Sequence, residues 1–451
     1  MRSLGAAAIG VTFSVLALAD CFDSDPLPAA AQQTAPVPAP EDSKWPRIPA
    51  ERLPNWLKLE VDIRGRLESE TGFKSNPGPD DTYYLHRLRL NIEVEPNPWL
   101  RFFIQGQDAR VGGYDRPIPA NVANSMDLRQ GYIEFGRVEE KSWGLRAGRQ
   151  ELRFGDARLV GSSNWSNAAR SYDALRLSYR SAATRLDWFA ASVVQVADGR
   201  FDRPMLRNAF YGLYSSFPKL IRKSVIEPYL FWKTNSRVRG ESGWIGDQDV
   251  YTPGIRAAGE LSQQFDYSIE TALQTGHFGL DRIHAWAGHW RLGWVFPIRA
   301  WKPRLLLEYN YASGDGNPRD GRHGTFDQLY PTNHDKYGTA DRVTWRNIHD
   351  LMGGIEVKPT PKWIWKLEYH GFWLATRQDG LYADGGAPLV LNRTATSSFV
   401  GPEVDLQVFY QPSDRLQLGF GYAHLFAGAY LKQSIKERGS TCPYVMWNYR
   451  L

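Results

Sequence analysis

The run Leu57-Lys58-Leu59-Glu60-Val61-Asp62-Ile63-Arg64 decides the fold. Aliphatic residues hold every odd position and charged residues every even one. Successive side chains of a β-strand point to opposite faces, so this stretch has one apolar face and one charged face. The same grammar returns along the chain. Leu88, Leu90, Ile92 and Val94 interleave with Arg87, Arg89, Asn91, Glu93 and Glu95. Leu305, Leu307, Tyr309 and Tyr311 alternate with Arg304, Glu308 and Asn310. Trp363, Trp365, Leu367 and Tyr369 stand against Lys366, Glu368 and His370, and Val404, Leu406, Val408 and Tyr410 against Glu403, Asp405 and Gln407. The last case sets Val445, Trp447, Tyr449 and Leu451 against Met446, Asn448 and Arg450.

Counting clear and weak segments, about 18 strands are expected. They lie near 56–68, 83–95, 99–108, 127–137, 142–151, 171–180, 184–195, 207–216, 224–234, 249–260, 265–275, 283–296, 302–313, 347–358, 363–374, 402–410, 415–426 and 443–451. Each approaches the ~9–11 residues that cross a bilayer as a tilted strand. Tight turns such as Pro96-Asn97-Pro98, Pro359-Thr360-Pro361 and Gln411-Pro412-Ser413-Asp414 take turns with long polar loops, the longest near 313–346 and 375–401. A soluble sandwich also alternates, but its apolar faces form a shared core of Val, Ile and Leu. Here that face is heavy in Trp and Tyr, as a lipid surface with interfacial girdles would be. The final aromatic strand is a hazardous open edge unless it closes against the first. The expected fold class is all-β: a transmembrane antiparallel β-barrel with short periplasmic turns and long extracellular loops.

Composition agrees. The 451 residues include 17 Trp, 22 Tyr and 21 Phe, yet the chain is polar on average, with a formal charge of +5. A barrel reconciles the two, because lipid meets the aromatics while water meets the charges. Residues 1–19 read as a signal peptide, with an apolar run and an Ala17-Leu18-Ala19 cleavage signal. Cys21 follows Asp20, where lipidation needs a small residue, so no lipid anchor is expected. Residues 20–55 form a Pro/Ala-rich periplasmic linker, and 56–451 the outer-membrane barrel. Two cysteines exclude a disulfide framework and a Cys-ligated zinc domain, and Cys21 and Cys442 are not expected to pair. No glycine-rich phosphate loop is present, and the basic residues alternate across a wall instead of forming a nucleic-acid patch. No cofactor is expected.

An 18-stranded wall leaves an aqueous lumen. The inward row would hold Arg66, Arg89, Arg129, Arg146, Arg176, Arg304, Lys366 and Arg450, faced by Glu134, Glu308 and Glu368. Most of these should form ion-pair ladders that stiffen the wall. Any arginines left over would make a positive constriction that selects anions, and a guanidinium fork suits the carboxylates of an acidic sugar. A hydrolase is the second function class. Its candidates would be His323, His334 and His349 with Asp320, Asp335, Asp341 and Asp350, although no spacing matches a catalytic triad. Asp315, Asn317 and Asp320 are a weak calcium candidate, off the 12-residue loop pattern.

Three blocks carry a family resemblance. The first is Gly148-Arg149-Gln150-Glu151-Leu152-Arg153-Phe154-Gly155-Asp156-Ala157-Arg158-Leu159-Val160-Gly161, then Trp165, Asn167, Arg170, Tyr172-Asp173 and Leu175-Arg176-Leu177. The second is Ala312-Ser313-Gly314-Asp315 with Thr325 to His334 and Tyr337-Gly338; the third is Gly421-Tyr422-Ala423-His424-Leu425-Phe426. Together they resemble the alginate-export family of outer-membrane porins over roughly residues 50–451. The resemblance implies an 18-stranded barrel passing a polyanionic polysaccharide through an arginine-rich pore. It also implies Arg149 and Arg176 as constriction residues, although counting from Arg146 puts Arg149 on the opposite face unless a bulge follows Gly148. The expectation is a monomer in outer-membrane lipid that passes an acidic, alginate-like polysaccharide or oligosaccharide passively. The alternative is a general porin for small anions or aromatic acids. Loops 313–346 and 375–401 would gate the outer mouth, loop 151–170 would fold inward, and periplasmic secretion partners stay open.

Overall fold

The computed structural model describes residues 53–73, 79–140, 142–241, 243–297, 300–334, 336–383, 386–435 and 439–451. The segment expected to be a signal peptide and nearly all of the expected linker lie outside the described residues, as does Asp335.

Eighteen strands build the wall. The first six are β1 (Leu57–Gly72), β2 (Asp81–Asn97), β3 (Leu100–Gly112), β4 (Asn124–Gly136), β5 (Ser142–Gln150) and β6 (Tyr172–Arg180). Then come β7 (Arg185–Gln195), β8 (Asn208–Ile221), β9 (Ser224–Arg239), β10 (Ile245–Glu260), β11 (Phe265–Phe278) and β12 (Asp281–Val295). The last six are β13 (Arg304–Ala312), β14 (Ile348–Val357), β15 (Trp363–Leu374), β16 (Phe399–Ser413), β17 (Leu416–Phe426) and β18 (Gly439–Arg450). Each pairs antiparallel with the next, and β18 returns to β1 with Asp62 opposite Arg450 and Ile63 opposite Tyr449. The sheet is closed, so no edge is left bare. One short helix, α1 (Ala429–Ser434), sits in the loop before β18.

The alternation of the sequence becomes the two faces of the wall. Leu67, Leu90, Ile104, Leu175, Leu273, Leu307, Leu367 and Val445 are exposed on the outside, where lipid covers them. Trp56, Trp99, Trp143 and Trp301 are exposed beside the short turns, as an interfacial girdle requires. Asp62, Arg64, Arg66, Arg87 and Arg89 are buried on the other face.

The inward face is not charged all the way round. Phe189 of β7, Phe210 and Tyr214 of β8, and Tyr229 and Phe231 of β9 are buried inside and pack on Phe154 from the β5–β6 loop. Phe154 stacks on Phe189 at 5.4 Å and on Tyr214 at 4.9 Å. This core continues through Phe326, Leu329, Tyr337 and Trp345 of the β13–β14 loop. The lumen is therefore divided between an apolar half, filled by loop side chains, and a polar half along β1–β4 and β16–β18.

Candidate functional site

Both β5 and β6 are nine residues long, so the chain leaves the wall early between them. The connecting segment 151–171 drops into the lumen, as expected. Its apolar side chains Leu152, Phe154, Leu159 and Val160 join the internal core, which holds it there. Its backbone carbonyls meet the arginine row. Arg64 donates to the Asn164 carbonyl at 2.9 Å and the Trp165 carbonyl at 3.1 Å, and Arg66 to the Trp165 carbonyl at 2.8 Å. Arg87 donates to the Asn164 carbonyl at 3.1 Å, while Arg89 and Arg129 each reach Asn164 Oδ1 at 3.1 Å. Across the barrel, Arg158 bonds Glu308 of β13 at 2.8 Å and Arg256 of β10 bonds Asp156 at 2.7 Å. The segment thus spans the lumen from wall to wall.

Loop 313–347 also enters instead of staying at the outer mouth. Gly161 N donates to the Tyr330 carbonyl at 2.8 Å, Tyr330 N to the Leu159 carbonyl at 2.9 Å and Thr332 N to the Ala157 carbonyl at 2.9 Å. The two loops form one internal constriction. Loop 375–398 lies against the inserted segment, with Asp379 Oδ2 accepting from Asp315 N at 3.0 Å and from Thr325 Oγ1 at 2.6 Å.

Beside this constriction lies a cavity of about 450 Å³ on the side of the short turns. Its lining carries Arg64, Arg87, Arg89, Arg129, Arg153, Lys336 and Arg450 against Glu60, Asp62, Glu93, Glu151 and Asp156. Seven cations face five carboxylates. Burial alone would raise the Asp156 carboxyl, but Arg256, Arg291 and Lys336 hold it well below the usual carboxylate range.

The residues singled out from sequence fall into three groups. Arg89, Arg129 and Arg450 line the cavity, and Arg66 stacks on Trp165 at 3.8 Å just above it. Arg146, Arg176 and Arg304 belong to ladders. Arg146 and Arg101 share Glu134 at 2.5 and 2.9 Å, Arg176 holds Asp187 at 2.8 Å, and Arg304 holds Asp266 at 2.5 Å. Arg176 also pairs with Glu139 in the β4–β5 turn. Glu139 is half exposed at the turn; the protein crowded around it opposes its ionisation, yet Arg176, Arg185 and Arg180 bring its pKa down to about 2. Glu308 binds Arg158, and Lys366 stands opposite Glu356 in register. Glu368 lies with His370 and Asp405, higher on the wall.

Arg149 is a correction. Gly148 has φ +125°, but register runs unbroken through Arg146–Arg176, Gly148–Ala174 and Arg149–Asp173, so no bulge moves Arg149 to the lumen row. It lies on the opposite face from Arg146, held by Asp173 at 2.8 Å and the Asp202 carbonyl at 3.1 Å. At the calcium candidate, one oxygen of each side chain is engaged within the loop: Asp315 Oδ1 accepts from Gly324 N, Asn317 Oδ1 from Arg319 N and Asp320 Oδ1 from Arg322 N. The histidines proposed for hydrolysis are dispersed as well. His323 pairs with Glu241, His334 with Asp341 beneath Trp165, and His349 with the Tyr309 hydroxyl. Sequence reasoning passed over Arg153, Asn164, Trp165 and Lys336. For Arg153, Asn164 and Trp165 the signal was the apolar punctuation of their polar loop, Leu152, Phe154, Leu159 and Val160, which marks a segment that packs.

Asp315 gives a pH prediction. Burial and the neighbouring Glu241 push its pKa up from 3.8 to about 7, with Gly324 N–H and His323 pulling the other way. The folded loop therefore holds a proton that the unfolded loop releases, and stability falls as pH rises from about 4 to about 7. Amide-exchange protection around 313–325, corrected for intrinsic rates, should decline over that window and become flat in Asp315→Asn. An identical decline in the variant would refute the assignment.

A family model described as alginate export matches residues 55–445. The chain belongs to the alginate-export family. Among solved structures it is similar to OccK8 (OprE) of Pseudomonas aeruginosa, with 10% identity, TM-score 0.60, and coverage of 88% of this chain and 98% of that one. It is similar also to the outer membrane protein OpdK of Pseudomonas aeruginosa, at 9% identity and TM-score 0.57 over 87% of this chain and 99% of that one. OccAB3 of Acinetobacter baumannii gives 10% identity and TM-score 0.58, covering 88% and 99%. A search of curated proteins finds no match. This alginate-export family member is an outer-membrane β-barrel channel.

Proposed function

We propose that the channel passes anionic solutes passively, as a monomer, and that its solute is an acidic, alginate-like polysaccharide or oligosaccharide. The observation that carries this reading is the charge of the cavity wall, seven cations against five carboxylates. Arg64 and Arg89 sharpen it: their hydrogen-bond acceptors among the described residues are carbonyl and amide oxygens, with no carboxylate. Both share Asp62 electrostatically with Arg87 and Arg450, so this part of the wall carries more positive than negative charge toward the solute. The carboxylates between them keep binding weak enough for release, which conduction needs as much as entry.

Planar-bilayer recordings test this. Wild-type channels should prefer chloride over potassium in a salt gradient. Polyuronate should block the current, and a neutral glucan of the same length should leave it intact. A unit charge about 4 Å away in water is worth about 1 kcal/mol, so each of Arg64→Ala and Arg89→Ala should lower anion preference by about fivefold or less. Cation preference in the wild type would overturn the proposal. Anion preference without polyuronate block would favour a general porin for small anions or aromatic acids.

A further inference from the structure

A compact group on β14–β16 lies outside the cavity. Glu368 and His370 of β15 and Asp405 of β16 bring three potential ligand atoms within 4.8 Å of one another. His370 is oriented from behind: its Nδ1 meets Asp350 Oδ1 of β14 at 2.8 Å, and its Nε2 lies 3.8 Å from Asp405 Oδ2. A carboxylate that fixes one ring nitrogen and turns the other toward a cation is the usual support behind a metal-binding histidine.

Charge points the same way. Asp350, Glu403 and Asp405 are at most 1% exposed. Among the described residues, His370 is the one ion-pair partner that reaches any of these three. With all three ionised, even a protonated imidazole would leave the trio doubly negative, a charge that Glu403 and Asp405 shed by sharing a proton or by holding a cation. Neutral donors contribute part of the balance: Thr339 Oγ1 reaches Asp405 at 2.8 Å and Ala340 N reaches Glu403 at 2.9 Å. Glu403 Oε2 is also fully buried and takes no hydrogen bond from a donor among the described residues, and its carboxylate adjoins Asp405 on the same face of β16. Buried carboxylates persist when they are paired or coordinate a metal.

We propose that Glu368, His370 and Asp405 bind one divalent transition-metal cation, positioned by Asp350 and charge-balanced by Glu403. An imidazole among carboxylates favours zinc-like ions over calcium, which takes oxygen ligands alone. Because Thr339 and Ala340 belong to the inserted loop, a bound ion would also fasten that loop to the wall.

The test uses the full-length barrel in detergent, stripped with chelator, and Zn²⁺ alone as probe. Calorimetry should find one site per chain whose affinity falls about 10- to 100-fold in Asp350→Asn and is lost in His370→Gln. Zn²⁺ should raise the unfolding temperature of the wild type and of His334→Ala but not of His370→Gln. Glu403→Gln, which removes a charge at constant shape, serves as a foldable variant and should weaken binding. No Zn²⁺ uptake by the wild type would overturn the proposal, as would uptake unchanged in both His370→Gln and Glu403→Gln.

Discussion

Replacing Phe154–Ala169 with a short Gly-Ser turn is expected to raise single-channel conductance several-fold. An 18-strand wall by itself encloses an aqueous channel, and this segment spans that space from Arg64 and Arg66 on one wall to Glu308 on the other. Its removal also leaves Arg64, Arg66, Arg87, Arg89 and Arg129 facing water without the Asn164 and Trp165 acceptors. Anion preference should therefore hold or rise even as the pore widens. Planar-bilayer recording on a variant shown by circular dichroism to keep its strands reads both quantities. Conductance equal to the wild type would mean that the segment does not obstruct the path.

The second large effect is expected at Arg158. This side chain is 3% exposed and pairs with Glu308 at 2.8 Å, with Tyr337 and Asn310 close by. Arg158→Ala breaks this buried pair and leaves Glu308 to the Asn310 amide at 2.8 Å and His289 at 3.5 Å, a change that costs about 3–5 kcal/mol. Much of that cost should appear as release of the inserted segment, seen as a lower unfolding temperature and frequent excursions to a higher conductance level. Adding Glu308→Gln should recover most of the loss, because the stranded charge is then gone. A double variant as unstable as Arg158→Ala would place the effect elsewhere than in the ion pair.

The wall was largely legible from alternation. The segment expected near 283–296 is Asp281–Val295, and the one near 363–374 is Trp363–Leu374. Strict period two in β1, β2 and β16 also assigned the charged face to the lumen, since burying Asp62, Arg87 and Asp405 against lipid would leave them without partners. Legibility failed where both faces carry the same chemistry. In β7–β9 the inward residues Phe189, Phe210 and Phe231 alternate with Trp188, Tyr211 and Trp232 outside, so polarity does not mark the lumen. The internal core was invisible for that reason. Loop trajectories were half legible: the inward turn of 151–170 was expected, while the entry of 313–347 depends on Phe326, Tyr337 and Trp345 finding that hidden core. At Arg149, counting by twos from Arg146 was the better guide than resemblance.

The seam between β1 and β18 has a kinetic meaning. Val61 and Leu451 exchange backbone hydrogen bonds at 3.0 and 2.9 Å, and the two strands stand at opposite ends of the barrel's sequence. At the short turns neighbouring strands meet through a few residues, whereas this pair must close a loop of nearly the whole barrel. The logarithmic law for loop closure puts the difference at about 4 kcal/mol, so local hairpins zip first and the seam closes last. Until then Trp447 and Tyr449 ride on an unpaired edge. Substitutions at the seam should slow insertion and promote aggregation of the waiting intermediate, while a barrel that has already closed keeps its shape.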